Sequence, residues 1–302
     1  MKVLVLNQSN IVNSANNQLV YHFPNSVKFE GNYIAVSSVS MYYSWYNISA
    51  LNNNNTFTYS WTSGDTRTTY YITIPDGVYE VKTLNDFLQY QMIQNGTYLI
   101  NGVGQNVYYV EFILNAPRYA VQLNTFLVPT TLPAKYVEPA NFAGFPTTEC
   151  NPIITTPAKF CYIIGFAPNF ISDPNVGNSF VPPTNSQLVN KLSDGTISYL
   201  STSPPEVQPN SSILFSMSNI DNKYAQPTSI IYSIVPTVAV GEIITERPPQ
   251  FMWNKLIDGM YNEIRLTLLG TNLQPITILD PNMTILLTIR DKDDAGLSFG
   301  KG

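Results

Sequence analysis

The chain has 302 residues and a net charge of −5, and only 12% of its residues are charged, against about 25% in a typical soluble protein. Its 44% hydrophobic content excludes a disordered chain. The net negative charge argues against a nucleic-acid-binding protein, because such a protein needs clustered Lys and Arg to contact phosphates. Its single histidine leaves little room for metal or acid–base chemistry.

The first apolar run and the two cysteines indicate the compartment. Only four apolar residues, from Val3 to Leu6, follow the start, whereas a signal peptide needs roughly 7–15. Polar residues interrupt the most apolar stretch, 230–244, which predicts a pair of buried strands and no membrane span. Cys150 and Cys161 lack the spacing of zinc or redox sites. We expect reduced thiols in an intracellular protein, with one optional disulfide as the alternative.

Strands are predicted through the first quarter of the chain. Residues 17–49 alternate apolar and polar side chains in two runs, with a turn at Glu30-Gly31-Asn32 between them. Residues 56–61 and 69–74 form the next predicted pair, and Gly64 lies in the turn that joins them.

One amphipathic helix follows. Thr83 is the predicted N-cap, with Asp86 three residues later, and Gly96 lies where a C-terminal cap belongs. Its apolar face is formed at helical spacing by Leu84, Phe87, Leu88 and Met92. This pattern is typical of a helix that covers one side of a sheet.

The middle of the chain changes character after two more strands, 108–114 and 119–128. Residues 129–210 are dense in proline, which removes a backbone donor and is excluded from central strands. We therefore predict long loops there, with one apolar strand at 159–166 and a short helix near 185–192.

The last third returns to regular strands. They are predicted at 212–220, 228–236, 242–247, 262–270 and 283–291. Many short strands with Gly, Pro and Asn turns and one good helix indicate an all-β sandwich or barrel.

Catalytic patterns are weak. His22 lies inside an alternating strand and is interpreted as a strand surface residue, because no nucleophile motif accompanies it. The GVGQNV segment (102–107) is interpreted as a hairpin turn because it lacks the third glycine of a dinucleotide loop. A glycosidase with two acidic groups stays formally open. Its candidate carboxylates are Asp76, Glu80, Glu111, Glu138, Glu206, Glu242, Glu246 and Glu263.

The scarcity of charge is more informative. A monomer of this size usually has a surface that is about 25–35% charged, whereas interfaces are depleted in Lys, Glu and Asp and enriched in aromatic residues. With 20 Tyr and 15 Phe, the chain fits a protein whose surface is covered by assembly. Codon bias of an AT-rich genome is the alternative, but that bias would also favour Lys.

Five stretches spread over nearly the whole chain carry a family resemblance. The chain resembles the penton, or minor capsid, proteins of virophages and Polinton-type elements, and most of all a mavirus-type penton. These stretches are YIAVSSVSMYYSWYNI (33–48), ITIPDGVYEVKTLNDFLQYQM (72–92), KFCYIIGF (159–166), 199–236 and 261–291.

The resemblance implies an all-β fold: a single jelly-roll sandwich with a second β-rich lobe that carries one amphipathic helix. We expect the jelly-roll capsid domain at 1–55 plus 151–302 and the inserted outer lobe at 56–150. The implied function is a structural virion protein without enzymatic activity, whose homopentamers plug the fivefold vertices of an icosahedral capsid and contact the double jelly-roll major capsid protein.

The resemblance also bears on partners and sites. It implies location at the capsid vertices after synthesis in the host cytoplasm, and a host or giant-virus surface receptor is a further candidate partner. It transfers no catalytic, cofactor-binding or metal-binding residue, and no cofactor. Residues 1–16 are expected to form an arm toward neighbouring subunits or the capsid interior.

A carbohydrate- or receptor-binding jelly-roll module, lectin-like in character, is the main alternative. Trp45, Trp61 and Trp253 are its candidate sugar-stacking residues, although tryptophans in strands more often belong to a core.

Overall fold

The structure is a computed structural model and describes residues 1–172, 189–207 and 211–291. The chain divides into two compact units. We name Met1–Tyr46 together with Gln208–Gly302 the split unit, and Asn47–Val207 the inserted unit.

The helices and strands are numbered in chain order. They are β1 (Lys2–Leu6), β2 (Gln18–Phe29), β3 (Tyr33–Tyr42), β4 (Thr56–Ser63), β5 (Thr66–Thr73), α1 (Val81–Gln94), β6 (Tyr98–Ile100), β7 (Asn106–Tyr108), β8 (Val110–Asn115), β9 (Ala120–Thr125), β10 (Ile153–Thr155), α2 (Ala158–Ile164), β11 (Val189–Lys191), β12 (Ile197–Leu200), β13 (Ile213–Met217), β14 (Ile230–Ile234), β15 (Ile243–Glu246), β16 (Asn254–Lys255), β17 (Gly259–Leu269) and β18 (Thr284–Arg290).

The described residues of the split unit form two antiparallel sheets. The first sheet has the order β1-β18-β3-β15, and the short strand β16 also pairs with β3. The second sheet has the order β14-β13-β17-β2. With β16 left aside, the eight strands in chain order form sheets 1-8-3-6 and 2-7-4-5, which is the strand order of a jelly roll. The predicted all-β jelly-roll fold is therefore confirmed.

Alternating side chains of both sheets build one core. Leu4, Leu6 and Leu287 of the first sheet and Ile264 and Leu266 of the second are buried in the same cluster. Each fully buried aliphatic side chain stabilises the fold by about 1.5–3 kcal/mol. The apolar stretch 230–244 contributes β14 and β15 to this unit, one in each sheet. In the part of the chain that the structure describes, both helices are too short to cross a membrane.

The beginning of the chain differs from the expected arm. Lys2–Leu6 is strand β1 and pairs with β18 along its length, from Lys2 opposite Ile289 to Leu6 opposite Ile285. Leu4 and Leu6 are buried. The prediction missed this strand because its partner lies at the other end of the sequence.

In its described residues, the inserted unit combines three small sheets with two helices. The sheets have the orders β10-β4-β5, β11-β12-β9-β8 and β6-β7. Their inward residues share one core with the apolar faces of α1 and α2. The predicted hairpins 56–61/69–74 and 108–114/119–128 correspond to β4-β5 and β8-β9.

Helix α1 carries the predicted apolar face but begins earlier than predicted. Leu84, Leu88 and Met92 are buried and Phe87 is partly buried. The N-cap is Glu80, and Thr83 is the third helical residue, whose Oγ1 accepts a hydrogen bond from the Glu80 N–H at 2.8 Å. Gly96 follows the C-cap in the left-handed region, with φ +67°, as the sequence predicted.

The apolar segment predicted as a strand at 159–166 is helix α2. Pro157 precedes it and Gly165 ends it with φ +72°. The strand prediction was wrong because a short apolar run fits a buried helix and a buried strand equally well. Cys161 is buried on this helix 3.0 Å from the Thr156 hydroxyl, and both cysteines are free thiols.

The boundary between the units also lies elsewhere than expected. The chain divides after Tyr46 and after Val207, whereas the sequence suggested 55/56 and 150/151. Residues 151–207 group with the inserted unit because β10 pairs with β4 and β12 pairs with β9. Of the helix expected near 185–192, residues 189–191 form strand β11, and 185–188 lie outside the described residues.

Candidate interaction surfaces

The carboxylates offered for catalysis are distributed over both units, and several have structural contacts of their own. None of these contacts joins two carboxylates, so the structure adds nothing in favour of a glycosidase. The contacts are Asp76 Oδ1 with the Ala50 N–H (2.7 Å), Glu111 Oε1 with Asn124 Nδ2 (2.8 Å), Glu242 Oε2 with the Ala239 N–H (2.9 Å) and Glu246 Oε1 with the Tyr232 hydroxyl (3.1 Å).

The single histidine is a surface residue of a strand, as predicted. His22 lies on β2 directly opposite Glu263 on β17. Its Nδ1 is 3.5 Å from Glu263 Oε2, and its side chain is 71% exposed. In the residues that the structure describes, no three His, Cys, Asp or Glu side chains form a group that could hold a metal ion.

Two of the three candidate sugar-stacking tryptophans are core residues. Trp45 is buried and stacks on Tyr43 with ring centroids 4.1 Å apart. Trp61 is 1% exposed, and its indole N–H donates to the Gly144 carbonyl at 2.9 Å. Neither indole offers a face to a ligand, so only Trp253 stays a candidate.

Most of the outer face of the first sheet in the split unit carries no charged side chain, and Arg290 lies outward at one end of it, opposite Tyr33. Strand alternation places one set of side chains in the core and the other set outward. The exposed or partly exposed members of the outward set that lie away from Arg290 and Tyr33, which we name the uncharged face, have aliphatic, hydroxyl and one tyrosine side chain. Its members are Val3, Val5, Ser38, Ser40, Tyr42, Ile243, Thr245, Thr284 and Leu286.

The second sheet differs in its outer face. His22, Lys28, Glu263 and Arg265 lie on β2 and β17 with exposed or partly exposed side chains. Glu263 is paired with both His22 and Arg265, the latter at 3.1 Å. Such a mixed and paired set of charges is typical of a surface in water. The two sheets of one sandwich therefore present different chemistry to their surroundings.

An aromatic and cationic cluster lies at one end of the first sheet. The guanidinium carbon of Arg290 is 4.3 Å from the Trp253 ring centroid and 5.1 Å from that of Tyr33. Arg290 and Tyr33 are direct neighbours across β18 and β3, which sets their spacing. Phe251 contacts the edge of Trp253 with centroids 5.4 Å apart. This cluster could not be predicted from the sequence, because its members come from distant segments that meet only in the folded chain.

Two buried tyrosines of the inserted unit have strongly shifted pKa values. Burial raises the pKa of Tyr59 to about 12, and hydrogen bonds with Thr97 and Asn95 oppose part of that rise. Burial also raises the pKa of Tyr109 to about 12. Both hydroxyls therefore belong to the core of this unit.

Comparison with known proteins gives structural neighbours and no sequence match. No family model and no curated protein matches the chain. The penton protein of mavirus is similar in structure with a TM-score of 0.39 at 10% identity, over 96% of this chain and 98% of that one. A chain of the Sputnik virophage has a TM-score of 0.37 at 11% identity, over 98% of this chain and 99% of that one.

Proposed function

We propose that this chain is a structural virion protein that forms homopentamers at the fivefold vertices of an icosahedral capsid, where it contacts a double jelly-roll major capsid protein. The proposal rests on the sequence resemblance to virophage pentons and on the strand order of the split unit. It assigns the capsid contacts to the split unit and the outer lobe to the inserted unit. It requires no catalytic step.

The observation that carries the proposal is the uncharged face. A monomer surface of this kind would normally be interspersed with Lys, Arg, Asp and Glu. The cores of protein interfaces are depleted in these residues. The uncharged face has the composition of an interface, while the charged face of the second sheet has that of a solvated surface.

A fivefold ring requires that this face contacts a different surface of the next copy. Ring symmetry above twofold requires a heterologous interface, in which one patch meets a different patch of the next copy, and the rotation must close. A sandwich with two chemically different sheets offers two different patches. The vertex position and synthesis in the host cytoplasm follow from the same proposal.

Native mass spectrometry over a range of protein concentrations tests the proposal. We expect a species of five times the chain mass, either alone or, where the ring contacts are weak, after mixing with the major capsid protein. A stable dimer or trimer would contradict the proposal because neither closes a fivefold vertex. A monomer that also fails to enter shells of the major capsid protein would contradict it as well.

A further inference from the structure

A groove of about 580 Å³ lies on the split unit beside the cluster of Trp253 and Tyr33. One wall is the loop 221–224, which follows β13, and the other is the segment 253–258, which leads into β17. The volume lies within the range of about 300–1,000 Å³ that small-molecule sites occupy. All of its lining residues belong to the split unit, so the groove is complete within one unit.

The aromatic residues of the groove are held in place without a ligand. Trp253 and Tyr33 both contact the Arg290 guanidinium, an arrangement in which cation and ring faces attract each other. Tyr224 on the opposite loop is fully exposed and also lines the groove. Two fixed rings on one wall and an exposed aromatic side chain on the other can together hold a flat, partly apolar ligand.

The polar residues of the groove are balanced in charge. Asp221 and Asp258 supply two carboxylates, and Lys223 and Lys255 supply two ammonium groups. Asp258 is oriented by the Gly31 N–H, which donates to its Oδ1 at 2.9 Å, and by Lys255, whose Nζ is 3.6 Å from its Oδ2. The lining therefore contains as many carboxylates as ammonium groups, with no excess of either sign.

We infer that this groove binds a neutral oligosaccharide. A pyranose ring has an apolar C–H face that stacks on aromatic rings and a rim of hydroxyl groups that both donate and accept hydrogen bonds. The aromatic platform matches the face, and the mixed carboxylates and ammonium groups match the rim. A phosphorylated or sulfated ligand would require an excess of cations in the lining, which this groove lacks. The inference is independent of pentamer formation.

Glycan binding by the purified full chain tests the inference. The probes are immobilised oligosaccharides ending in galactose, glucose, mannose or N-acetylglucosamine, together with sialylated and sulfated counterparts. We expect binding to at least one neutral probe, followed by titration of that oligosaccharide in solution. Trp253→Ala should weaken the affinity by about tenfold or more. Tyr224→Ala should also weaken it, and it cannot unfold the unit because the side chain is fully exposed.

Matched variants separate the groove from other surfaces. Tyr119→Ala removes an exposed tyrosine of the inserted unit and should leave the affinity unchanged. Absence of binding to every neutral probe would overturn the inference, and so would binding to the sialylated or sulfated probes alone. Binding that survives both Trp253→Ala and Tyr224→Ala would place the ligand elsewhere and would overturn it too.

Discussion

Replacement of Gly96 by alanine should destabilise the inserted unit strongly. Gly96 follows α1 with φ +67°, in the region that side chains rarely adopt. A Cβ atom there would lie 1.8 Å from the carbonyl oxygen of Asn141 and 3.2 Å from the Cα of Phe142. Both contacts are with backbone, so no side-chain rotation relieves them. The segment that contains Asn141 must move away.

The magnitude follows from what this segment contributes. Asn141 Nδ2 donates to the last carbonyls of α1, those of Ile93 and Gln94, at 3.1 Å each, and the Ala143 N–H donates to the Gly96 carbonyl at 2.9 Å. Each such hydrogen bond contributes about 0.5–1.5 kcal/mol. The left-handed conformation costs alanine about 1 kcal/mol more. We expect a loss of about 4 kcal/mol in the free energy of unfolding.

Gly104→Ala is the matched control. Gly104 also lies in the inserted unit and has φ +81°, but no described atom beyond its own residue and its two chain neighbours lies within 4 Å of the position that a Cβ would take there. The Gly104→Ala variant should therefore lose only about 1 kcal/mol in the free energy of unfolding, which is the cost of placing alanine in the left-handed conformation. Hydrogen exchange of the α1 amides, measured by mass spectrometry, reports the opening of this unit directly. Equal protection of α1 in the two variants would refute the reasoning, because it would show that contact with Asn141 has no energetic role.

Three further predictions concern assembly, pH and the beginning of the chain. Val5→Lys should change the free energy of unfolding of the monomer by no more than about 0.5 kcal/mol, since Val5 is 44% exposed. It should nevertheless abolish the fivefold species in native mass spectrometry, because a lysine would be buried without a partner in the interface. Val103→Lys, at an exposed turn, should leave that species intact. Raising the pH from 10 to 12 should lower the urea midpoint of the inserted unit, because Tyr59 and Tyr109 keep protons in the folded state that unfolded tyrosines release near pH 10. The free energy of unfolding should fall by about 1.4 kcal/mol per pH unit for each tyrosine, and a urea midpoint that does not change over this pH range would contradict the prediction. Deletion of residues 1–6 should lower the thermal midpoint of the split unit, since it removes β1, and an unchanged midpoint would show that this strand contributes no stability.

Strands with strict alternation were predictable from the sequence alone. β17 alternates buried aliphatic residues with polar ones over Glu263 to Leu268, and β18 does so apart from Leu286; their predicted ranges match the structure within a few residues. Local periodicity carries this information because each strand is half-buried. The helix α1 was predictable for the same reason, with its caps displaced by a few residues.

Features that depend on pairing between distant segments were not predictable. Strand β10 has three residues and pairs with β4, which lies about ninety residues earlier in the chain. Such a pairing leaves no local signal, and it is what joins residues 151–207 to the inserted unit. Helix α2 was missed for a different reason, although Pro157 and Gly165 flank it as start and stop signals. The groove beside Trp253 was also not predictable, because loop 221–224 and Tyr33 come close to Trp253 only in the folded chain.

The sequence of the first strand bears on the proposed assembly. Residues Val3 to Leu6 are apolar without alternation, a pattern that is typical of strands buried on both faces. In the structure only Leu4 and Leu6 are covered by the core, while Val3 is 58% exposed and Val5 is 44% exposed. The same imbalance continues across the sheet to Leu286, Tyr42 and Ile243. The sequence of this sheet is apolar on both faces of β1, and the fold covers one of them. Under the proposed pentamer another subunit covers the second face, and Val5 is therefore the position where a charge should separate assembly from folding.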